Sequence, residues 1–334
     1  MPVTLDEAKQ NATDDVDVQV IDEFRKESVL LDSLVFNDVV NPAGGGDTLS
    51  YSYRRLITQP TADFRKINTE YAPSEVKTQR YSVDLAVLGG SFQVDRVVSR
   101  IGPAASNAVT LNMQQKIKAT RTKFQDAVIN GDSAEDEDSF DGLDKALAGS
   151  STEFRLAQVT DWTDFDTDPR AEQKALDVLD EWLSQLDGAP TLVIGNSTAL
   201  ARVRALARRA GQYTRDPVDG LIGNNGRPIV RESYGGITFV DPGEKPGTSA
   251  PIIPIENRTV GGTAATGLTD LYAVRIGLDG FHAVATVGGQ IVNTWLPDFS
   301  NAGAVKTGEV EMGPIGVVLK ATKAASAFRN IKVR

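Results

Sequence analysis

KTQRYSVDLAVLGGSFQVDR, residues 77–96, alternates apolar and polar side chains, meets a double glycine and runs on toward a long helical pattern. A period of two marks a strand with two unlike faces. Tyr81, Val83, Leu85 and Val87 form the apolar face, opposed by Arg80, Ser82, Asp84 and Ala86. Upstream, Leu49, Tyr51 and Tyr53 alternate with Ser50, Ser52 and Arg54, while residues 56–75 between the two runs carry Pro60, Pro73 and mixed charges without an apolar period. The pattern predicts a long hairpin with a charged tip. A lone hairpin has no core and is marginal in water, so the face built by Tyr51, Tyr53, Tyr81, Val83, Leu85 and Val87 must lie on its own domain or on another subunit. Gly89 and Gly90 are the predicted hinge, where the hairpin bends into the body.

The next segment predicts a helix from about Pro103 to Asn130, with Val109, Met113, Ile117, Phe124 and Val128 on one stripe and Asn130–Gly131 as the stop. At 1.5 Å per residue it makes a rod of ~40 Å. GDSAEDEDSFDG, residues 131–142, is acidic but lacks the ligand alternation around a central glycine that calcium loops use, so it reads as a solvated loop. Ahead of the hairpin, Val20, Phe24, Leu31, Leu34 and Val35 keep helical spacing until NPAGGGD, residues 41–47. Gly44, Gly45 and Gly46 there form either a functional hinge or a plain linker.

Composition closes several routes to function. The 334 residues include no cysteine and one histidine, His282, which removes disulfides, thiolate chemistry and histidine-based metal clusters; no cofactor or metal is expected. No run of ~20 apolar residues suggests a membrane span and MPVTLDEAKQ is unlike a secretory signal, so a soluble, unexported chain is expected. Of the net charge of −10, residues 1–47 contribute eleven acids against three bases, leaving the rest close to neutral. Such a chain is a poor binder of phosphate backbones, so contact with DNA is expected as enclosure, without sequence-specific binding.

From Asp168 a second unit is predicted. Asp168 and Pro169 suit a helix start; Leu176, Leu179, Leu183 and Leu186 form a stripe, and Gly188 ends it. TLVI (191–194) reads as a buried strand and ALARVRALARRAG as a helix reaching Gly211; GITFVD, LYAVRIG, AVATVGG and GVVLKATKA supply further strands. The class is α+β. Ser197, in TLVIGNSTALARV, sits between strand and helix as a hydrolase nucleophile would, with Asp241 and His282 following in triad order. The flanking position is Ala199 instead of glycine, and Asn196 or Ser197 as a helix cap explains the same letters, so no enzyme is expected. VGGTAATG, residues 260–267, has no Lys-Ser or Lys-Thr after it and reads as a turn.

In this order the pieces resemble the major capsid protein of tailed bacteriophages, the Hong Kong 97 fold. RYSVDLAVLGGSFQVDRVV is similar to the family's extended-loop return strand, and NGDSAEDEDSFDGLDKAL to the segment after its spine helix. TLVIGNSTALARVRALARRAGQYTRDP with GGITFVDP resembles the axial domain, and VVLKATKAASAFRNIKV the last peripheral-domain strand and tail. The resemblance implies an N-terminal arm (1–47) and an extended β-hairpin loop (48–96) that lie across neighbouring subunits, so that Tyr51, Tyr53, Tyr81, Val83, Leu85 and Val87 contact another copy, with a peripheral domain (97–164 and 294–334) holding the spine helix at about 103–130, and an axial domain (165–293). It further implies hexamers and pentamers of this one chain in an icosahedral head shell around double-stranded DNA, assembled in the host bacterial cytoplasm and matured from a procapsid. A portal and a decoration protein are partners of such shells. Some members carry a long scaffolding segment before the arm; with only some 47 residues before the hairpin, a separate scaffolding protein, or none, is expected. A further family trait is an isopeptide cross-link, for which Lys66 or Lys77, Asn301 and Glu309 are available as amine, carboxamide and proton acceptor; ordinary solvated charges explain both lysines equally. Encapsulin compartments share the resemblance, and the acidic arm favours the phage reading.

Overall fold

The computed structural model describes residues 30–40, 49–97, 108–166, 168, 170–209, 214–222, 228–234, 236–248, 250–286 and 291–334. The proposed glycine hinge at 44–46, most of the acidic arm and the start of the long helix lie outside them.

The alternating stretch is two strands, not one. β2 (Ser50–Thr58) and β3 (Lys77–Asp84) form the antiparallel hairpin, with Tyr51 opposite Val83 and Tyr53 opposite Tyr81. The break falls at Leu85, whose N–H donates to the Leu49 carbonyl at 2.8 Å. β4 (Ala86–Asp95) then runs antiparallel to the long strand β15 (Val305–Leu319), from Ala86 opposite Ile315 to Asp95 opposite Val305. The hinge expected at Gly89 and Gly90 is therefore corrected: both lie inside β4, and neither takes a positive φ. A Cβ on Gly89 would come within 2.7 Å of the Val310 carbonyl oxygen, and one on Gly90 within 2.9 Å of Lys116 Cδ. The glycines serve close approach. Gly89→Ala should cost about 1–3 kcal/mol because backbone must shift, and Gly90→Ala less because a lysine tail can move; thermal unfolding of the two variants measures the difference.

α2 (Ala108–Asn130) is the long helix, 23 residues or ~35 Å. Phe124 and Val128 of its predicted stripe are buried, and it lies against β4 and β15. Asn130 and Gly131 stop it as expected: the Gly131 N–H closes on Ala127 O at 2.9 Å, and Asn130 Nδ2 donates to Ile252 O at 2.8 Å. Beneath α2 a five-stranded sheet joins β1 (Phe36–Asn37), β13 (Phe281–Ala285), β15, β14 (Val292–Trp295) and β4. α1 (Leu30–Ser33) adds Leu30 to this core.

A nine-stranded sheet holds β5 (Glu153–Phe154), β6 (Thr160–Asp161), β7 (Leu192–Gly195), β8 (Thr214–Ile222), β9 (Pro228–Tyr234), β10 (Ile237–Val240), β11 (Glu256–Val260), β12 (Thr263–Val274) and β16 (Ala325–Lys332). α4 (Ala171–Leu183) and α5 (Ser197–Arg209) cover it, because Leu176, Leu179 and Trp182 on one helix, and Val203 and Leu206 on the other, repeat at helical spacing toward Phe328. α4 starts later than expected: Arg170, at φ 63°, precedes it, no side chain caps it, and the Asp168 backbone carbonyl accepts from the Ala171 N–H at 3.0 Å.

Two strand pairings cross the expected domain limits. β13, inside the range 165–293, pairs with β15, and β16, inside 294–334, pairs with β12. Leu192, Ile194 and Val274 of the larger sheet share one core with Phe281, Met312 and Val317 of the smaller. On the larger sheet, Arg329 of β16 is buried but satisfied: its guanidinium pairs with Glu153 of β5 at 2.9 Å, Asp270 of β12 at 3.2 Å and Asp144 of α3 (Leu143–Leu147). A buried guanidinium is tolerated only with such partners.

Candidate functional site

The hairpin leaves the body as a two-stranded ribbon, and its tyrosine face decides what holds it. At the base that face lies on its own chain. Tyr51 and Leu85 are buried with Val284 and Val318, and the Tyr51 ring meets the His282 imidazole edge-on at 5.9 Å. Tyr53 is half-buried, stacks on Tyr81 at 5.7 Å and donates its hydroxyl to Leu319 O at 3.2 Å; burial raises its pKa. The expectation that the whole face awaits another subunit is thus corrected for Tyr51 and Leu85, with Val83 half-covered in the same cluster. Val87 sits on β4, beyond the break, and is exposed.

Arg55 ends the covered zone. Its Nε donates to Lys320 O at 2.6 Å, a second nitrogen bonds Leu319 O, and its guanidinium lies 5.5 and 4.9 Å from the Tyr53 and Tyr81 ring centroids. The alternation Tyr51, Tyr53, Arg55 carries this signal in sequence: an arginine on an aromatic face, where a planar cation stacks well. Alternation alone places Arg55 on that face without showing that the Leu319 and Lys320 carbonyls hold it. Arg55→Ala removes two charge-assisted bonds and the stacking, and should cost about 1–3 kcal/mol locally; faster hydrogen exchange in residues 50–58 and 77–84 checks it.

Beyond Arg55 the ribbon is bare. Leu56, Ile57, Phe64, Ile67, Tyr71 and Val76 are all exposed, Phe64 and Ile67 almost completely. The tip nevertheless has local shape: Thr69 N–H bonds Lys66 O at 3.2 Å around Asn68 (φ 69°), and the Arg65 guanidinium lies over Tyr71 at 5.3 Å. A cleft of about 330 Å³ separates the hairpin base from the acidic loop, with Arg55, Asp84, Asp141 and Lys145 on its walls. That loop is tied by Lys145, which pairs with Asp132 and, at 3.0 Å, with Asp141. The Lys145 ammonium and the Ala134 N–H hold Asp132 below the usual carboxylate range, and at Asp141 partial burial is outweighed by the Ser133 hydroxyl and N–H together with Lys145, with the same result. Among the described residues no cluster of three or more histidines and carboxylates is placed to hold a metal.

The cross-link candidates sit on three parts of the chain. Lys66 and Lys77 are exposed on the hairpin, Asn301 lies in the loop before β15 with its Nδ2 donating to Asp298 at 2.9 Å, and Glu309 is exposed on β15 between Trp295 and Ser91. The hydrolase reading fails on geometry. Asn196 caps α5 by accepting from the Thr198 N–H at 2.9 Å, Asp241 accepts from Gly243 N–H at 3.0 Å, and His282 belongs to the other sheet with no hydrogen bond from either ring nitrogen among the described residues. Ser197 has no base.

A long helix laid on one sheet, a second sheet carrying two helices, and a hairpin thrown clear of both define the Hong Kong 97 fold. The chain is similar in structure to the SrpI encapsulin of Synechococcus elongatus PCC 7942, at 14% identity over 100% of this chain and 97% of that one, with a TM-score of 0.64. It is also similar to the capsid of a native GTA particle (12% identity, 97% and 96% covered, TM-score 0.61) and to a chain of Mycobacterium phage Adephagia (13%, 100% and 99%, 0.58). No protein-family model and no curated protein sequence matches it.

Proposed function

We propose that this chain is a shell protein: copies of it assemble into the icosahedral head of a tailed double-stranded DNA bacteriophage. The observation that carries this reading is the bare outer hairpin, an apolar surface too large and too far from its own core to be left in water, on a fold shared over its full length with shell proteins. Each copy would cover the tip of a neighbour, and many weak copies of one contact add up to a stable shell. Tyr81 and the residues beyond Arg55 form the contact between subunits. A scaffolding protein, a portal and a decoration protein are the partners such a head would use, with assembly in the bacterial cytoplasm before release in the virion.

A second reading has its own support: the SrpI encapsulin matches over the whole chain, so a cargo-holding compartment is the alternative. Negative-stain electron microscopy of the purified chain tests both. Closed shells support the shared role, their diameter and nucleic-acid content separate head from compartment, and a chain that stays monomeric with every adjacent gene product overturns it. If Lys66 or Lys77 reaches Asn301 and Glu309 of a neighbour, boiling particles in detergent leaves a ladder of covalent oligomers; a single band at the chain's mass excludes the bond.

A further inference from the structure

His282 is the one histidine of the chain, and the fold gives it an unusual place. It lies in the middle of the five-stranded sheet, opposite Val318, fully buried, and its ring is the floor on which Tyr51 of the hairpin rests. Neither ring nitrogen has a hydrogen-bond partner among the described residues. The Gly280 backbone favours a proton on the ring, but the other groups packed around it give one little welcome. Lys320 holds its ammonium 5.5 Å from the centroid of the Tyr51 ring, Arg55 bonds the Lys320 carbonyl, β1 offers only the uncharged Asn37, and Val284 and Val318 are apolar. Asp279, whose charge favours the protonated ring, is exposed and already paired with Arg275 at 2.6 Å.

We propose that His282 is a proton-operated latch for the hairpin: neutral, it seats Tyr51 and the hairpin base on the sheet; protonated, it forces them apart. A buried imidazolium without a partner is strongly disfavoured, and the least disruptive way to hydrate it is to lift the ribbon, which is tied to the body only at its base. Burial first, then Lys320, push its pKa from 6.5 to about 4, outweighing the Gly280 backbone and Asp279. The sign follows from linkage. The seated state binds the proton more weakly than the open one, so its stability is level above pH 6.5 and falls as pH drops from there toward 4. Over that window the opening equilibrium should rise on the order of a hundredfold.

Hydrogen exchange of the full chain at pH 7 and pH 4.5, corrected for intrinsic rates, tests it against His282→Phe, which keeps a ring under Tyr51 but cannot titrate. Wild type should lose protection in residues 50–58 and 77–85 by on the order of fifty- to a hundredfold at the lower pH, while the variant stays level. An equal loss in both, or none in wild type, overturns the latch. If His282→Phe does not fold, the single histidine gives one unambiguous ring signal by NMR. A midpoint well below 6.5 shared by Tyr51 supports the latch; a midpoint at 6.5 with Tyr51 unchanged removes it.

Discussion

Replacing residues 59–76 by an Asn-Gly turn is expected to give a chain that folds normally and forms no particles. β2 and β3 end in register at Thr58 and Lys77, so a two-residue turn closes the shortened ribbon with the twist the strands need. Everything removed lies beyond Arg55 and touches no part of the core, so the melting temperature should move by no more than a few degrees. What is lost is Phe64, Ile67, Tyr71 and Val76, all exposed in the single chain. Burying four such side chains in a neighbour contributes roughly 6–12 kcal/mol before ordering costs. Removing that from every subunit should shift sedimentation from particles to small species. Particles of undiminished yield would show that the hairpin is an ornament and that other surfaces carry assembly.

The largest effect on the single chain is expected at Phe328. It is fully buried on β16 and faces three aromatic rings, Phe154 at 5.2 Å, Trp182 at 5.6 Å and Trp162 at 5.7 Å. Those rings come from a short edge strand, a helix and the segment between, so one side chain joins three parts of the larger sheet's core. Phe328→Ala leaves a cavity that two indoles cannot collapse into, and should cost about 3–5 kcal/mol in denaturant unfolding. A cost below about 1 kcal/mol would mean that the aromatic cluster repacks freely.

Much of this architecture is legible in the sequence. Period-two alternation gives β2 and β3, because a pleated ribbon must separate its faces. The stripe ending at Asn130–Gly131 gives α2, and the spacing of Leu176 and Leu179 gives α4. Asn196 ahead of α5 is readable as a cap. In the candidate site, the bare tip is legible as charges and prolines with no apolar period. Arg55 is legible in principle, as the arginine that extends an alternating tyrosine face.

Other features depend on distant partners that no local pattern contains. β4 continues the alternation of β3, and only pairing with β15, more than two hundred residues later, makes it a separate strand. Gly89 and Gly90 look like a hinge because glycine permits bending; the neighbouring Val310 carbonyl and Lys116 show that the need is close approach. β13 and β16 exchange sheets because each strand joins whichever partner completes its hydrogen-bond ladder, and sequence order does not set that choice.

By itself the sequence determined the local elements, the absence of thiol chemistry and the need of the hairpin's apolar face for cover, all consequences of short-range sterics and side-chain chemistry. Tertiary structure alone decided how that cover is divided. The body reaches Tyr51 and Leu85 through His282, Val284 and Val318, and the Leu319–Lys320 carbonyls stop at Arg55, so the residues beyond it are left for another surface.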